Sequence, residues 1–211
     1  MLNLSEEQNI FNQGFNLVGG IDEAGRGPLA GPVVAACVIL RPDFKEKDNF
    51  SLTRIVRDSK KMTPKKREEA FGIIKSELDF GIGICDHETI DRINILEATF
   101  LAMKKALSAL KQRPDFVLVD GKFAIPNLSI KQKAVIDGDR LIFSIAAASI
   151  IAKVTRDRIM LEMHKLYPQY EFNKHKGYGT KLHLAALKKF GPSPIHRRSF
   201  RPVRRLITHN S

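Results

Sequence analysis

The sequence has little of three things: cysteine, long apolar runs and acidic side chains. The chain of 211 residues contains two cysteines, Cys37 and Cys85, each in an apolar, strand-like run with no cysteine or histidine at metal-ligand spacing. We therefore expect both thiols to be reduced and buried, neither paired nor catalytic. No apolar run reaches the roughly 18 to 20 residues that span a bilayer, and the N-terminal residues lack the basic start and apolar middle of a signal peptide. We expect a cytoplasmic protein with no membrane partner.

The shortage of acidic side chains leaves a strong positive charge. There are 23 aspartate and glutamate residues against 35 lysine and arginine residues, which gives a formal net charge of +12. Such a field attracts polyanions, including the phosphate backbone of nucleic acids. A hydrophobic content of 43% and a charged content of 27% are typical of a soluble globular protein. The length predicts a single domain over residues 1–211, with an appendage of helices and loops from about residue 168.

One stretch, residues 19–40, organises the rest of the chain. Asp22 and Glu23 end a short apolar run, a Gly-Arg-Gly turn follows at residues 25–27, and a second apolar run occupies residues 33–40. If the two runs pair as antiparallel strands, the acids and the turn lie at one end of the pair, where a divalent ion and a phosphodiester could meet. Side chains alternate across a regular strand. Both acids therefore reach one site only if the strand ends or bulges at Glu23.

Periodicity and capping residues predict the other elements. Thr63 followed by Pro64 is typical of a helix start, and Asn94 with Glu97 is typical of a capped one. Helices are expected over residues 64–78, from Asn94 to before Pro114, over residues 143–166 and over residues 181–190. Strands are expected over residues 80–85, 116–119 and 134–136. Helices that alternate with short strands predict an α/β domain built on a mixed sheet.

Four carboxylates lie at the ends of separate strand-like runs. They are Asp22, Glu23, Asp120 and one of Asp137 or Asp139. The last two share a face in extended chain, so spacing does not choose between them. Carboxylate oxygens suit hard ions such as Mg²⁺ or Mn²⁺. Two such ions roughly 3.5 to 4 Å apart could activate a water on one side of a phosphodiester and stabilise the leaving oxygen on the other.

Basic and polar side chains near these acids are candidate phosphate binders. The candidates are Arg26, Ser59 with Lys60, Lys153, Arg156 and the pair Arg197-Arg198. The segment Asp58-Ser-Lys60 comes just before a predicted helix N-terminus, a position that favours anions. Tyr178, between two glycines, could stack on a nucleotide sugar or base. A core tyrosine is the alternative.

Several motifs taken together resemble those of the type 2 ribonucleases H, specifically the bacterial ribonuclease HII family. The matching segments follow the family's order through nearly the whole chain: residues 20–28 (Gly-Ile-Asp-Glu-Ala-Gly-Arg-Gly-Pro), 58–61 (Asp-Ser-Lys-Lys), 119–121 (Val-Asp-Gly), 138–139 (Gly-Asp), 146–149 (Ala-Ala-Ala-Ser), 152–157 (Ala-Lys-Val-Thr-Arg-Asp), 175–179 (His-Lys-Gly-Tyr-Gly) and 196–200 (His-Arg-Arg-Ser-Phe). The resemblance implies a ribonuclease H-like fold with a central five-stranded mixed sheet, flanking helices and a helical C-terminal part.

The resemblance also implies an activity and its catalytic residues. The protein would be a monomeric endoribonuclease that cleaves the RNA strand of RNA–DNA hybrids and nicks duplex DNA 5′ of embedded ribonucleotides. The products would have 3′-hydroxyl and 5′-phosphate ends. Asp22, Glu23, Asp120 and Asp139 would bind two Mn²⁺ or Mg²⁺ ions, which selects Asp139 over Asp137.

Six residues would bind the substrate if the resemblance holds. They are Gly25, Arg26, Gly27, Ser59, Lys60 and Tyr178. The Gly-Arg-Gly turn would sense the 2′-hydroxyl at an RNA–DNA junction, the feature by which a protein tells RNA from DNA. The serine and lysine would hold backbone phosphates, and the tyrosine would pack on the deoxyribose beyond the junction.

Two other classes of protein are alternatives to this interpretation, and two residues depart from the family pattern. A non-catalytic nucleic-acid-binding module would bind without metal and would not need the four acids. A magnesium-dependent phosphotransferase is the other rival, but the P-loop pattern Gly-x-x-x-x-Gly-Lys-Ser/Thr is absent. Met62 stands where the family usually has leucine, a volume-conserving change that we expect to be harmless. Phe143 stands where the family often has proline.

Overall fold

The computed structural model describes residues 2–44, 50–56, 59 and 62–208, without the side chains of residues 50 and 51. The helices are α1 (Ser5–Asn12), α2 (Phe50–Ile55), α3 (Pro64–Glu77), α4 (His87–Ile93), α5 (Ile95–Ser108), α6 (Gly138–Leu141), α7 (Phe143–Leu166), α8 (Phe172–His175), α9 (Lys181–Phe190) and α10 (Arg201–Thr208), with a 3-10 turn at Pro168–Tyr170. The strands are β1 (Val18–Ala24), β2 (Val33–Leu40), β3 (Phe80–Cys85), β4 (Phe116–Asp120) and β5 (Lys131–Val135).

The five strands form one mixed sheet in the order β3-β2-β1-β4-β5. β2 is antiparallel to both of its neighbours, whereas β4 is parallel to both β1 and β5. The C-terminal ends of β1 and β4 therefore meet at the same edge of the sheet. The predicted α/β fold with a five-stranded mixed sheet is confirmed, as is the antiparallel pairing of the first two strands.

Two long helices cover the two faces of the sheet. α7 lies on one face and contributes the fully buried alanines of residues 146–148, and α5 covers the other face with Ala102 and Ala106. These small side chains let the helix backbones approach the strands. A methyl group added at Gly20 of β1 would lie only 2.3 Å from the carbonyl carbon of Ser144 in α7. The helix predicted over residues 143–166 has the predicted bounds.

β1 is a regular strand as far as Ala24. It pairs residue for residue with β2, from Val18 opposite Leu40 to Ala24 opposite Val34. The bulge considered at Glu23 is therefore absent. The strand ends one residue beyond Glu23 instead, so the two acids leave a regular strand on opposite faces, close to its end.

The structure differs from the predicted elements in its short helices and in its last strand. The predictions lacked α1, α2, α4 and α6; the N-cap of α4, Asp86, accepts a hydrogen bond from the Thr89 amide at 2.8 Å. They also placed the last strand too late, because β5 begins at Lys131 and Ile136 lies beyond its end. β5 is an edge strand with exposed lysines, and such strands carry little of the apolar signal that marks a buried one.

The segment after α7 packs against the connection between β1 and β2. Ala30 of that connection shares a buried cluster with Met160 and Phe172, and Leu29 shares another with Leu187. The predicted helical C-terminal part is therefore present and contacts the residues that follow the acids. The extent of the domain stays a prediction. None of the helices in the described part of the chain combines the length and apolar character that crossing a bilayer requires.

Four residues singled out in the sequence lie in the core. Cys37 and Cys85 are buried free thiols, as predicted, and burial raises the pKa of both, which leaves them unreactive. Met62 joins the apolar cluster between α3 and α7. Phe143 is buried at the start of α7, where its ring centroid lies 5.3 Å from that of Phe44. Both departures from the family pattern are therefore accommodated by apolar packing.

We predict that Gly20→Ala destabilises the fold. The added methyl group would lie 2.3 Å from the Ser144 carbonyl carbon and 2.5 Å from the Ile145 amide nitrogen, so the helix backbone would have to move. The free energy of unfolding in urea should fall by roughly 1–3 kcal/mol. Gly72→Ala in α3 is the matched control, because its added methyl group meets no atom within 4 Å. It should raise stability by about 0.5–1 kcal/mol, and equal stabilities of the two variants would contradict the packing argument.

Candidate active site

The predicted acids meet where β1 and β4 end. Ile21 pairs with Val119, so the residues that follow them, Asp22 and Asp120, lie side by side near this edge of the sheet. A cavity of about 240 Å³ lies at this edge, and we call it the acidic cavity. It is lined by Asp22, Glu23 and Asp120, by the Gly-Arg-Gly turn of residues 25–27, which we call the glycine turn, and by Ser59, Ser149, Lys153 and Tyr178.

Asp22 is held at the base of the acidic cavity. Its Oδ1 accepts a hydrogen bond from the Glu23 amide at 2.7 Å, and the Ser149 hydroxyl also bonds to it. The hydroxyl oxygens of Ser149 and Ser59 lie 2.9 Å apart. Burial, reinforced by the charges of Glu23 and Asp120, raises the pKa of Asp22 well above its usual range. Ser149 belongs to one of the segments that match the family pattern, but no role of its own was predicted for it from the sequence.

The structure separates the two aspartates that spacing left open. Asp139 is buried in α6, and its amide lies 3.3 Å from Asp120 Oδ1, to which it donates. Asp137 is exposed and has the left-handed conformation, with a φ of 55°. Asp139 therefore adjoins the acidic cavity through Asp120, and its choice as the fourth acid stays a prediction.

The carboxylates have the donor chemistry for a hard divalent ion. Within the described ranges, no three His, Cys, Asp or Glu side chains are arranged closely enough to hold a metal ion as they stand. The raised pKa of Asp22 nevertheless reflects like charges gathered in a buried place, and a cation between them would offset both causes. The donor set thus fits Mg²⁺ or Mn²⁺ in its chemistry. The role of these acids as metal ligands stays a prediction.

A buried arginine fixes the main chain of the glycine turn by hydrogen bonds. Arg197 donates to the carbonyl oxygen of Gly25 at 2.6 Å and to that of Arg26 at 3.0 Å. The same guanidinium group donates to the carbonyls of Gly31 and Pro32. The two ends of the connection between β1 and β2 are therefore tied to one side chain.

A second buried arginine completes the support. Arg156 of α7 donates to the carbonyl oxygens of Pro32, Ala30 and Lys176 at 2.9 to 3.1 Å. Gly25 has a φ of 103°, and a methyl group there would lie 2.1 Å from Arg156 Nε. Only glycine satisfies both the left-handed backbone and this contact.

The prediction that Arg156 and Arg197 bind phosphate is therefore wrong. Both side chains are completely buried, and their N–H groups are occupied by main-chain carbonyls. Sequence reasoning missed this role because a basic residue near a nucleic-acid site carries no sign of whether it faces solvent. Arg198 next to them is exposed.

Two other cations border the acidic cavity. Arg26 is half exposed, and its Nη1 lies 3.2 Å from Glu23 Oε1. Lys153 Nζ lies 2.7 Å from Asp157 Oδ1 and 5.9 Å from the centre of the Tyr178 ring. Lys60, the other predicted phosphate binder, lies outside the described residues together with Asp58 and Lys61.

Tyr178 forms a wall of the cavity, not part of the core. Its side chain is 43% exposed, so the alternative of a core tyrosine is wrong. A methyl group added at Gly27 would meet the Tyr178 ring at 3.7 Å and nothing else within 4 Å. The ring therefore lies beside the glycine turn at Gly27, a position with no other close neighbour.

A chain of buried histidines supports Tyr178 from below. The Ser193 amide donates to Nδ1 of His196, so that Nε2 of His196 carries the proton and donates to Nε2 of His183 at 2.9 Å. Nδ1 of His183 then donates to the Tyr178 carbonyl at 2.9 Å. Burial lowers the pKa of His183 to about 4 and that of His196 to about 3. Both rings are neutral at pH 7, and neither was given a role from the sequence.

Known proteins resemble this chain in sequence and in fold. Residues 19–203 match the family model described as Ribonuclease HII. A ribonuclease HII from Caldicellulosiruptor saccharolyticus is 53% identical over 195 residues, which are 92% of this chain and 91% of that protein. The crystal structure of ribonuclease H2 from Pyrococcus horikoshii OT3 matches with a TM-score of 0.74 at 29% identity, over 92% of this chain and 98% of that one.

A more distant structure shares the fold. It is that of Bst-RNase HIII in complex with Mn²⁺, and it matches with a TM-score of 0.73 over 92% of this chain and 70% of that one. Its sequence identity of 14% supports a common fold alone. The fold described above is thus shared beyond the range of clear sequence similarity.

We predict that acid weakens the fold through the histidine chain. The unfolded-state pKa of histidine is about 6.5, and burial lowers the folded-state values of His183 and His196. The unfolded chain therefore binds more protons between these limits. The stabilisation that the neutral histidines provide should be fully present above about pH 6.5. Below that pH, the free energy of unfolding should fall by roughly 1.4 kcal/mol per pH unit for each proton taken up on unfolding.

Urea unfolding at a series of pH values between about 6.5 and 5 measures this slope, in a window above the usual pKa of aspartate and glutamate. Asp22 contributes with the opposite sign, because its pKa is raised. The control is His196→Asn, which should be less stable at neutral pH but have a shallower slope, since one titrating group is gone. A wild-type stability that does not change in this window would contradict the prediction.

Proposed function

The chain belongs to the ribonuclease HII family, and from that membership we propose that it nicks duplex DNA 5′ of embedded ribonucleotides. It is a nuclease of the hydrolase class, and its family cleaves the RNA strand of RNA–DNA hybrids. The proposed cleavage uses two divalent ions and leaves 3′-hydroxyl and 5′-phosphate ends. The observation that carries the proposal is that one cavity is lined by three of the four acids, the glycine turn and an exposed tyrosine.

Asp22, Glu23, Asp120 and Asp139 are the proposed metal-binding catalytic acids. Mn²⁺ or Mg²⁺, when bound, supplies an activated water and charge stabilisation at the leaving oxygen. The chain itself keeps these acids close together despite their repulsion. The Ser149 hydroxyl and the Glu23 amide donate to Asp22 and thereby favour its ionised form, which is the form that binds a cation.

The glycine turn is the proposed reader of the 2′-hydroxyl. Its Gly25 and Arg26 carbonyls point at the buried Arg197. In a trans peptide the N–H points away from the C=O, so the amides of Arg26 and Gly27 point away from Arg197. The absence of a side chain at Gly27 leaves this backbone open to a close approach by the ribose.

Ser59 and Tyr178 are the proposed contacts to the strand on either side of the reacting bond. Ser59 lines the cavity and, with Lys60, would hold backbone phosphates. Tyr178 faces the glycine turn and would pack on the deoxyribose beyond the ribonucleotide, where an additional 2′-hydroxyl would fit poorly.

Membership of a family of nucleases excludes the two rival classes, the non-catalytic binding module and the phosphotransferase. A monomeric state and a cytoplasmic location stay predictions.

We predict that Asp120→Asn and Asp139→Asn each abolish nicking of a duplex that contains one ribonucleotide. Each variant removes a proposed metal ligand. The rate should therefore fall by more than the roughly 10- to 100-fold that loss of an outer partner of a metal site costs. The assay uses Mn²⁺ or Mg²⁺, with EDTA and an all-DNA duplex as blanks.

Asp137→Asn is the matched control for these two variants. It makes the same chemical change two residues from Asp139, and asparagine tolerates the left-handed conformation found there. The control should nick at a rate close to that of the wild type. Nicking retained by Asp139→Asn and lost by Asp137→Asn would reverse the assignment of the fourth acid.

We predict that Gly27→Ala impairs substrate recognition without weakening the fold. The added methyl group meets only the Tyr178 ring, at 3.7 Å, so urea stability should change by less than about 0.5 kcal/mol. The same methyl group enters the space between the glycine turn and the ribose. KM for the single-ribonucleotide duplex should therefore rise. An unchanged KM would show that the glycine turn does not approach the substrate closely.

A further inference from the structure

A second cavity adjoins the acidic cavity and has the opposite charge. It lies between α3, α7 and α8 and has a volume of about 380 Å³. Lys153 and Tyr178 line both cavities. Five cationic side chains stand in its wall, and we call them the cationic basin: Arg67, Lys153, Arg158, Lys174 and Lys176.

The acids around the basin do not neutralise it. Asp157 is shared, because Lys153 Nζ lies 2.7 Å from its Oδ1 and Arg67 Nη2 lies 4.0 Å from its Oδ2. Glu68 pairs with Arg158, and Lys174 pairs with Glu171 at 2.5 Å. Five cations against these three carboxylates leave two positive charges beside one cavity. His175 in the same wall adds none, because burial lowers its pKa.

Lys176 is the least compensated member of the basin. Among the described residues it forms no ion pair, and its Nζ donates to the Asn173 carbonyl. Burial lowers the pKa of its ammonium group; the charge of Asp157 opposes this shift, and the charges of Lys153 and Arg67 add to it. Its backbone has a φ of 51°, a left-handed conformation that lysine adopts at a cost.

Arg67 links the basin to the acidic cavity. Its Nη1 donates to the carbonyls of Ser59 and Met62, so the residue that orients Ser59 also belongs to the basin. On the other side, Lys153 and Tyr178 form the boundary between the two cavities. A strand that runs past Tyr178 away from the acids therefore enters the basin.

We propose that the cationic basin binds backbone phosphates of the cleaved strand on its DNA side, 3′ to the ribonucleotide. This assignment rests on the proposed function, which sets the ribonucleotide at the glycine turn and the next deoxyribose at Tyr178. The ligand is a phosphodiester held by point charges, so its binding is independent of base sequence and falls as salt is added.

The test measures binding without cleavage. Wild-type protein is titrated, in EDTA, with a duplex that contains one ribonucleotide and with an all-DNA duplex, at several salt concentrations. Lys176→Asn removes the cation and suits the left-handed backbone, so folding is preserved. It should lower the slope of log affinity against log salt by about 1. Lys174→Gln is a second variant. Lys174 lies in the helical backbone of α8, and its replacement should also lower the salt slope.

Lys111→Gln is the matched control. It removes one exposed lysine just beyond the end of α5, on the face of the sheet opposite α7, and its salt slope should equal that of the wild type. If Lys111→Gln lowered the salt slope as much as Lys176→Asn does, the effect would come from net charge and not from the basin, and the proposal would be overturned. An unchanged slope in Lys176→Asn would overturn it too.

Neutral methylphosphonates, placed one at a time along the cleaved strand, identify the phosphate. At the position that the basin binds, the substitution should weaken wild-type binding and leave Lys176→Asn unaffected. Equal losses in both proteins at every position 3′ to the ribonucleotide would refute the assignment. Wild-type protein that binds with these properties but does not nick in Mn²⁺ or Mg²⁺ would instead refute the proposed function, and the basin would stand.

Discussion

The geometry of the site depends on two guanidinium groups that have no contact with solvent. Residues 25–32 leave the sheet between its two antiparallel strands, so their carbonyls lack strand partners, and an unsatisfied buried polar group costs about 1–3 kcal/mol. Arg156 and Arg197 donate to the carbonyls of residues 25, 26 and 30–32. Burial lowers their pKa values to about 10 and about 9, so both stay charged at neutral pH. A lysine could not replace them, because its single ammonium group cannot reach several carbonyls in one plane.

The same constraint accounts for the neutral histidines nearby. The rings of His175 and His183 stack with centroids 4.4 Å apart, and His183 also bonds to His196. Two fixed positive charges already lie buried in this part of the protein, and further buried charge would be costly without partners. Neutral imidazoles can relay hydrogen bonds in one direction, from the Ser193 amide to the Tyr178 carbonyl, without adding charge. The tyrosine is thus fixed through its main chain while its ring stays exposed to the cavity.

Sequence patterns predicted the parts of the structure that depend on local rules. Strand ends, caps such as Thr63 and Asn94, and the bounds of α7 follow from periodicity and hydrogen-bond chemistry within a few residues. β5 was misplaced because an edge strand with solvated lysines lacks that pattern. The roles of Arg156 and Arg197 depend on contacts more than 100 residues apart in the chain, such as Arg197 with Gly25, and no local rule indicates them. The choice of Asp139 needed the family resemblance, since Asp137 has the same residue type and would share its face in an extended chain.

The distribution of charge suggests why the acids and the cations are divided by Tyr178. Three carboxylates in one cavity repel a phosphate backbone, and burial, together with the charges of Glu23 and Asp120, raises the pKa of Asp22. A strand that met only these acids would not bind in the absence of divalent ions. The cations beyond the tyrosine attract the same strand whether or not divalent ions are bound. Under the proposed function, binding would begin on the basic side, and the acids would then act on the one phosphodiester held at the tyrosine and the glycine turn, between the two charged regions.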